Sequence, residues 1–305
     1  MNIKITKTLI CIISILLGIN AYSQHDYREI EYYRGPDTKK LIDTCKYTVT
    51  YKFKFVRDTI KKQPYFDRQI LEIGNKYSHY GSIYADQLDS IWYNYNKNTK
   101  ATRPNKDHTN GINREKELGL KANEKASYED FYTNYPKKGN MRVSTAIYQN
   151  EYIYDEPLSK FEWKIQTDTM TVLGYKCIKA ITTFRGRDYE VWFTPLIPIR
   201  RGPWKFNGLF GLILKAVDTK GYFEWMAIGI EKNKDRYIYI HDLQKTKVQV
   251  INRNEVQKLQ RKLWEDPIGL KLLQGQDFKV IINGKIVKPR SGIYKDEYIP
   301  PLELE

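Results

Sequence analysis

Cysteine and histidine are scarce in this sequence. The 305 residues include three cysteines and four histidines, and three cysteines are too few for the disulfide framework that holds small secreted domains together. The histidines are isolated, and neither a Cys-x-x-Cys nor a His-Glu-x-x-His spacing occurs, so the sequence carries no zinc signature. It therefore predicts no metal ion and no other cofactor.

The sequence also lacks the motifs of several enzyme classes. It has no Gly-x-Ser-x-Gly elbow and no phosphate-binding loop. Asp86 and Asp89 lie three residues apart in a predicted helix, where a solvated helix face is the simpler interpretation than an acid and base pair. A glycosidase needs two carboxylates across a cleft, and sequence spacing does not give that separation. No catalytic residue is assigned from the sequence.

The one long apolar run lies at the N-terminus. Lys4 and Lys7 precede an uncharged stretch over 9–19, and small residues lie around Ser23, which is the pattern of a cleaved signal peptide. The stretch is too short for a spanning helix, which needs about 20 apolar residues. We expect a signal peptide over 1–23, cleavage between Ser23 and Gln24, and a mature protein without a transmembrane segment that is periplasmic or secreted.

Cleavage would change the charge and the cysteine count. Removing Lys4 and Lys7 takes the formal charge from +15 to +13, and Cys11 is lost with the same segment. Cys45 and Cys177 remain, and we expect them to form a disulfide in an oxidising compartment, with two buried free thiols as the alternative. The basic excess predicts a solvated surface attracted to anionic lipid or glycan rather than nucleic acid, because lysines alternate along strands instead of clustering with aromatics.

Alternation of apolar and polar residues predicts a mainly β protein. From Cys45 to Phe55 aromatic and β-branched residues alternate with lysines and threonines, as in a half-buried strand. Short apolar runs separated by Gly, Pro and Asp follow over 143–251, at an even spacing that favours an antiparallel meander over βαβ units. Helices are predicted after Ser82 and after Asn252, which forms a capping box with Glu255.

The mature chain is predicted to form a single domain over 24–305. Its segment at about 97–142 is rich in charge and poor in apolar residues, so we interpret it as a polar, partly helical insertion. Asn283-Gly284 suits the type I′ turn of a hairpin. The expected fold class is mainly β, an α+β arrangement with a few peripheral helices.

One stretch of the sequence resembles a known family. Residues 189–213 read YEVWFTPLIPIRRGPWKFNGLFGLI, and 173–180 together with the closing 301–305 extend the pattern. These segments resemble the GLPGLI family of secreted Bacteroidota proteins. The motif positions are Gly202, Pro203, Gly208, Leu209, Phe210, Gly211, Leu212 and Ile213. Phe210 stands where that family has proline, and a type II turn remains allowed through Gly211.

The resemblance implies a curved antiparallel sheet or half-barrel with a bowl-like shape. Members of that family have no established enzymatic activity, are often encoded near TonB-dependent outer-membrane receptors, and are similar to a domain appended to some secreted glycan amidases. No catalytic residues transfer with the resemblance.

We therefore expect a non-enzymatic cell-envelope protein that binds an apolar ligand, an envelope glycan or lipid, or a TonB-dependent receptor component in the concavity of its sheet. The residues expected to line that site are Trp192, Arg201, Trp204, Phe206 and Phe210. Phe210 is expected either to pack under Trp204 or to contact a partner. The alternative is a hydrolase that acts on envelope glycans or peptides.

Overall fold

The computed structural model describes residues 38–56, 62–99, 114–147, 150–241, 248–273, 280–282, 285–287 and 302–303. The predicted signal peptide, its cleavage site and the Asn283-Gly284 turn lie outside these residues. No helix in the described ranges is long and apolar enough to cross a membrane.

Strands make up most of the described chain. They are β1 (Lys39–Val56), β2 (Pro64–Gly74), β3 (Ser78–Ser82), β4 (Glu129–Thr133), β5 (Asn140–Ile147), β6 (Asn150–Pro157), β7 (Lys164–Val172), β8 (Tyr175–Phe184), β9 (Arg187–Thr194), β10 (Leu212–Asp218), β11 (Phe223–His241), β12 (Val248–Val250), β13 (Val280–Ile282) and β14 (Lys285–Val287). The last two form a separate antiparallel hairpin.

The other twelve strands form one open sheet in the order β12-β6-β5-β4-β3-β2-β1-β11-β10-β9-β8-β7. Neighbours in this sheet pair antiparallel, except that β12 pairs in parallel with β6 at one edge. The expectation of a mainly β fold with a large antiparallel sheet and few helices is confirmed.

Four helices are described, and they lie outside the strand order of the sheet. They are α1 (Ile83–Thr99), α2 (Arg114–Glu117), α3 (Arg253–Glu265) and α4 (Pro267–Leu273). The Ser82 hydroxyl accepts a hydrogen bond from the Ala85 amide at 3.0 Å, and Asn252 and Glu255 form the reciprocal capping box. Both helix starts predicted from the sequence are confirmed, because the capping side chains satisfy amides that the first turn leaves unpaired.

The central strand β1 shows how alternation sorts side chains between the two faces of the sheet. Val49, Tyr51 and Phe53 are buried on one face, which we call the inner face, whereas Lys52 is exposed on the opposite, outer face. β1 pairs with β2 on one side and β11 on the other. The predicted half-buried strand, with its aromatic and β-branched side on the core, is therefore confirmed.

Aromatic side chains fill the core on the inner face. The Trp225 ring stacks on Phe53 and Trp204, with centroid separations of 4.9 and 6.0 Å. Phe206 meets Trp225 edge-on at 5.6 Å. Trp204 and Phe206 belong to the connection over 195–211, which joins β9 to β10 and lies over this face. Burying each of these rings contributes roughly 1.5–3 kcal/mol of hydrophobic free energy.

A cluster of ion pairs joins the C-terminal residues 302–303 to the sheet. The Lys205 side chain is only 1% exposed, and its Nζ lies 2.6 Å from a carboxylate oxygen of Glu156 and 2.6 Å from one of Glu303. Arg185 also contacts both carboxylates, and Arg253 Nη2 lies 2.6 Å from Glu303 Oε2. Such charges are tolerated in the interior because each is paired.

The predicted polar insertion at about 97–142 does not extend as far as expected. Residues from Glu129 onward form β4 and β5 within the main sheet. Phe131, Tyr132 and Met141 are buried there. Phe131 and Met141, two of the few apolar residues of the segment, fall at buried strand positions, so the low average hydrophobicity concealed β4 and the start of β5.

The predicted disulfide is also wrong. Cys45 lies on β1 and Cys177 on β8, and β11, β10 and β9 lie between these strands. At about 4.8 Å per strand the two residues are roughly 19 Å apart across the sheet, whereas a disulfide requires Cα atoms within about 7 Å. Both cysteines are free and buried, and burial raises the pKa of each thiol.

We expect chemical modification to find both thiols free. Alkylation of the unfolded, unreduced protein should modify Cys45 and Cys177, whereas the native protein should react slowly because both side chains are buried. Peptide mass spectrometry measures the outcome. Recovery of a peptide pair linked through Cys45 and Cys177 would contradict the arrangement of the sheet.

Replacing Glu303 by Gln is expected to destabilise the fold by about 3 kcal/mol at pH 7, because Lys205 would then keep a buried charge with one carboxylate fewer. Burial raises the pKa of Glu303, but Lys205, Arg185 and Arg253 outweigh it and lower the pKa to about 2. The lowered pKa stabilises the folded state above the ordinary value of 4.5, and this contribution is lost as the pH falls through about 2.

Urea unfolding of wild type and Glu303→Gln at pH 7 and pH 3 measures this difference, which should be smaller at pH 3. Glu265→Gln, at an exposed position near the end of α3, is the matched control and should change stability by less than about 0.5 kcal/mol. Equal stabilities of the two variants at pH 7 would contradict the role of the ion cluster.

Candidate functional site

A polar cleft opens on the outer face of the sheet, between α1 and the paired strands β1 and β11. It has a volume of about 360 Å³, and we call it the His79 cleft. Its lining residues are Lys39, Glu72, His79, Asp86, Asp130, Tyr132, Asp235, Arg236, Tyr237, Tyr239 and His241. Four of these side chains are carboxylates, those of Glu72, Asp86, Asp130 and Asp235.

At the floor of the cleft His79 is held between two carboxylates. Its Nδ1 donates to Glu72 Oε2 at 2.8 Å, and its Nε2 donates to Asp130 Oδ1 at 2.9 Å. Arg236 Nε donates to the other Glu72 oxygen at 2.7 Å. The His79 ring stacks on Tyr132 with a centroid separation of 4.7 Å. Every polar atom of the imidazole is therefore committed to a partner.

The strand register brings these groups together. Glu72 and His79 are directly opposite each other on β2 and β3, and His79 is opposite Tyr132 on β4. Gly81 follows His79 on the same face of β3, where a Cβ atom would lie 2.3 Å from Asp130 Oδ1 and 3.0 Å from His79 Nε2. The Asp130 carboxylate can reach the imidazole because residue 81 has no side chain.

Electrostatics keep His79 charged. Burial lowers the pKa of His79, but the hydrogen bonds and negative charges of Asp130 and Glu72 outweigh it and raise the pKa to about 10. Burial raises the pKa of Glu72, yet its contacts with His79 and Arg236 lower it overall. His79 is thus an imidazolium at neutral pH. It positions two carboxylates and does not serve as a general base, since a base needs a pKa near the working pH.

The rim of the cleft adds exposed charges and aromatic rings. Asp86, in the first turn of α1, is exposed, and its Oδ1 lies 3.7 Å from Lys39 Nζ. Asp235 is also exposed. Tyr237 and Tyr239 are 44% and 42% exposed, and their rings meet edge-on at 6.4 Å. Hydrogen-bond acceptors, cations and flat apolar surfaces thus line one solvent-accessible space.

A metal ion does not fit the floor of this cleft, because both imidazole nitrogens of His79 donate to carboxylates and neither has a lone pair available. Within the described ranges no group of three or more His, Cys, Asp or Glu side chains is arranged to hold a metal ion.

The residues predicted to bind a ligand do not line one accessible site, although the Trp204 and Phe206 rings contact each other. Trp204 and Phe206 are 4% and 1% exposed in the aromatic core, which leaves a ligand no surface to contact. Trp192 is half-buried on the outer face of β9, and Arg201 forms a backbone bridge with Asn207. Phe210 is 63% exposed with the Arg200 guanidinium 5.0 Å from its ring centroid, so it does not pack under Trp204.

The glycines of the sequence motif have a packing role. A Cβ atom on Gly211 would lie 2.0 Å from the Thr194 carbonyl oxygen, and one on Gly202 would lie 2.8 Å from Ile213 Cβ. Gly208 has a positive φ of 95°, which favours glycine. These contacts place the connection over 195–211 tightly against the sheet.

Sequence reasoning missed the floor of the cleft. It treated His79 as an isolated histidine and gave no role to Glu72, Asp130 or Arg236. One local signal is present in the sequence, because the pair Gly74-Asn75 is typical of a turn and Glu72 and His79 face each other across the hairpin that it joins. No such local signal connects Asp130 with His79, because Asp130 lies 51 residues further along the chain.

Fold and site together define a mainly β protein with a carboxylate-lined cleft on the outer face of an open sheet. The family model described as "N-glycanase peptide, N-terminal domain" matches residues 92–254, which is more than half of the 305 residues. The chain therefore belongs to this family.

Two solved structures of PNGF-II, in the P21 and C2 space groups, are similar to the chain. They are 18% and 17% identical to it and cover 72% of it, with TM-scores of 0.45 and 0.44. The chain spans about a third of their length, 34% and 33%. A comparison with curated proteins found no match.

Family membership overturns the prediction of a non-enzymatic envelope protein that binds a ligand or receptor component in the concavity of its sheet. The family is one of N-glycanase domains, which favours the hydrolase alternative. There is also a physical reason, since the connection over 195–211 and its aromatic side chains occupy the inner face where that ligand was expected. The resemblance to the GLPGLI family stays a prediction.

His79 is expected to remain protonated through neutral pH and to titrate near pH 10. Because its pKa is raised above the ordinary 6.5, its contribution to stability is complete below pH 6.5 and is lost as the pH rises through about 10. Nitrogen NMR of the imidazole measures the titration. Asp130→Asn should lower the pKa of His79, whereas Asp168→Asn, at an exposed position on β7, should leave it unchanged. A wild-type titration near pH 6.5 would contradict the assignment.

Proposed function

We propose that the protein is a hydrolase that acts on N-linked glycans and that the His79 cleft receives the glycan. The observation that carries the proposal is membership of a family of N-glycanase N-terminal domains. The family model matches only residues 92–254, and the groups that line the His79 cleft give the proposal its second support.

The chemistry of the cleft supports a sugar as its occupant. Sugars present hydroxyl groups that donate and accept hydrogen bonds and flat faces of C–H groups. Asp86 and Asp235 supply acceptors at the rim, Lys39 and Arg236 supply donors, and half-exposed Tyr237 with its neighbour Tyr239 supplies aromatic surface. Ligand sites typically combine a few oriented polar groups with aromatic walls in this way.

The reaction also sets requirements that the cleft is able to meet. An N-linked glycan is joined to asparagine through an amide, and its hydrolysis adds water across the bond between the acyl carbon and nitrogen. A base takes a proton from the water, a donor stabilises the negative charge that develops on the carbonyl oxygen, and the nitrogen gains a proton as it leaves. We assign the base role to the exposed carboxylates Asp86 and Asp235 and the donor role to Arg236 or Lys39.

The buried groups have a different role in this proposal. Glu72 and Asp130 are engaged by His79, so they hold the floor rigid and keep Arg236 oriented towards the cleft. A rigid floor matters because catalytic groups must stay within a fraction of an ångström of their productive positions. A glycoprotein substrate outside the cytoplasm is consistent with the signal peptide expected from the sequence.

The full chain is expected to release glycans from a denatured glycoprotein that carries N-linked glycans, as measured by mass spectrometry of the free glycans and of the deglycosylated peptide. The double variant Asp86→Asn/Asp235→Asn should lose activity by about 100-fold or more, because general-base catalysis contributes about 10²–10⁴-fold. The two single variants then show which carboxylate is the base.

Asp168→Asn on β7 removes the same charge far from the cleft and should retain wild-type activity, and circular dichroism should show equal folding of all variants. Two outcomes would overturn the proposal. One is that the wild-type chain releases no glycan where an authentic N-glycanase does, and the other is that the double variant remains as active as Asp168→Asn.

A further inference from the structure

A row of basic and apolar side chains crosses the outer face of the sheet at positions that do not line the His79 cleft. The cross-strand register pairs Lys179 with Trp192, Trp192 with Lys215, Lys215 with Met226, Met226 with Lys52, and Lys52 with Arg68. We call these six residues the Trp192 row. They lie on six adjacent strands, from β8 to β2.

The whole row faces solvent. Val191 and Phe193, on either side of Trp192, are buried on the inner face, as are Trp225 and Ala227 on either side of Met226. The row residues themselves are exposed or half-buried. Alternation along each strand therefore directs the row outward.

Trp192 is flanked by two ammonium groups. Lys179 Nζ lies 5.6 Å and Lys215 Nζ 5.0 Å from the centroid of its indole ring, within the range of a cation–π interaction. Each lysine also forms an ion pair with a glutamate, Lys179 with Glu190 at 3.0 Å and Lys215 with Glu224 at 3.5 Å. These contacts hold the two ammonium groups beside the ring before any ligand binds.

We propose that the Trp192 row binds an acidic polysaccharide, a chain of sugars that carries carboxylate or sulfate groups at intervals. Three lysines of the row, Lys179 on β8, Lys215 on β10 and Lys52 on β1, lie on every second strand, about 10 Å apart. Trp192 and Met226 lie between them. A polymer that alternates anionic groups with apolar sugar faces, laid across the strands, would place its charges on the lysines and its sugar faces on the indole and the thioether.

The same surface is poorly suited to a nucleic acid. Single-stranded nucleic acids bind in basic grooves with several stacking rings, whereas this surface is one sheet face with one indole in the row. The carboxylates of Glu190 and Glu224 lie beside the lysines, where they would repel a backbone with a charge on every unit. Towards a sugar they act as acceptors for hydroxyl groups. Four cations against two carboxylates match a sparsely charged polymer.

The formal charge of the chain is +15. The Trp192 row is where part of this basic excess is located. The row lies apart from the floor of the His79 cleft, so the proposal does not depend on N-glycan hydrolysis. Surface cations attract an anionic polymer before contact, and that attraction weakens with salt.

The test is isothermal titration of the full chain with hyaluronate, which carries a carboxylate on every second sugar, with dextran as the neutral polymer, and with single-stranded DNA and anionic lipid vesicles as the other anionic partners. We expect binding to hyaluronate that weakens between low and physiological salt, and no binding to dextran. Trp192→Ala and Lys52→Glu should each lower the affinity about tenfold. Lys138→Glu reverses a charge at an exposed position in the turn between β4 and β5, and it should leave the affinity unchanged.

Release of N-linked glycans by Trp192→Ala and Lys52→Glu should equal that of wild type, which separates this proposal from the proposed activity. Circular dichroism establishes that the variants are folded. The proposal is overturned if hyaluronate does not bind, if single-stranded DNA or lipid vesicles bind more tightly than hyaluronate, or if the two row variants bind hyaluronate as tightly as Lys138→Glu.

Discussion

The pairing of β1 with β11 is the constraint on which the rest of the structure depends. These two long strands run antiparallel from Lys39↔His241 to Phe55↔Phe223, and they join the half of the sheet that contains β2 to β6 to the half that contains β7 to β10. Without this pairing the aromatic core between Phe53 and Trp225 would not assemble. Because the paired residues are far apart in the chain, a large loop-closure entropy opposes their association.

The sites described here follow from that pairing. β11 brings Arg236 and two tyrosines beside the β2–β3 hairpin, where they complete the His79 cleft. The same two strands carry Lys52 and Met226 in the middle of the Trp192 row. The inner face is closed by aromatic packing and by the ion pairs of Lys205, so the outer face is left for function. The register of β1 with β11 therefore determines both the floor of the His79 cleft and the Trp192 row, because antiparallel pairing fixes which side chains are neighbours.

Sequence reasoning worked where short-range periodicity or capping decides the structure. The alternation in β1 and the capping side chains Ser82 and Asn252 were interpreted correctly because each depends on contacts within a few residues. It did not work where distant strands meet. The disulfide between Cys45 and Cys177 was plausible from compartment and count, yet three strands separate them, and β4 was missed because its apolar residues are few.

The sequence by itself determined that this protein is mainly β and where the helices after Ser82 and Asn252 begin. These features depend on local sterics and on the period of side-chain burial. Only the tertiary structure decided that Trp204 and Phe206 are core residues and that Glu72, His79 and Asp130 form one site. The physical reason is that strand order and register come from the summed packing of the whole sheet, and no stretch of sequence encodes which distant strand will be its neighbour.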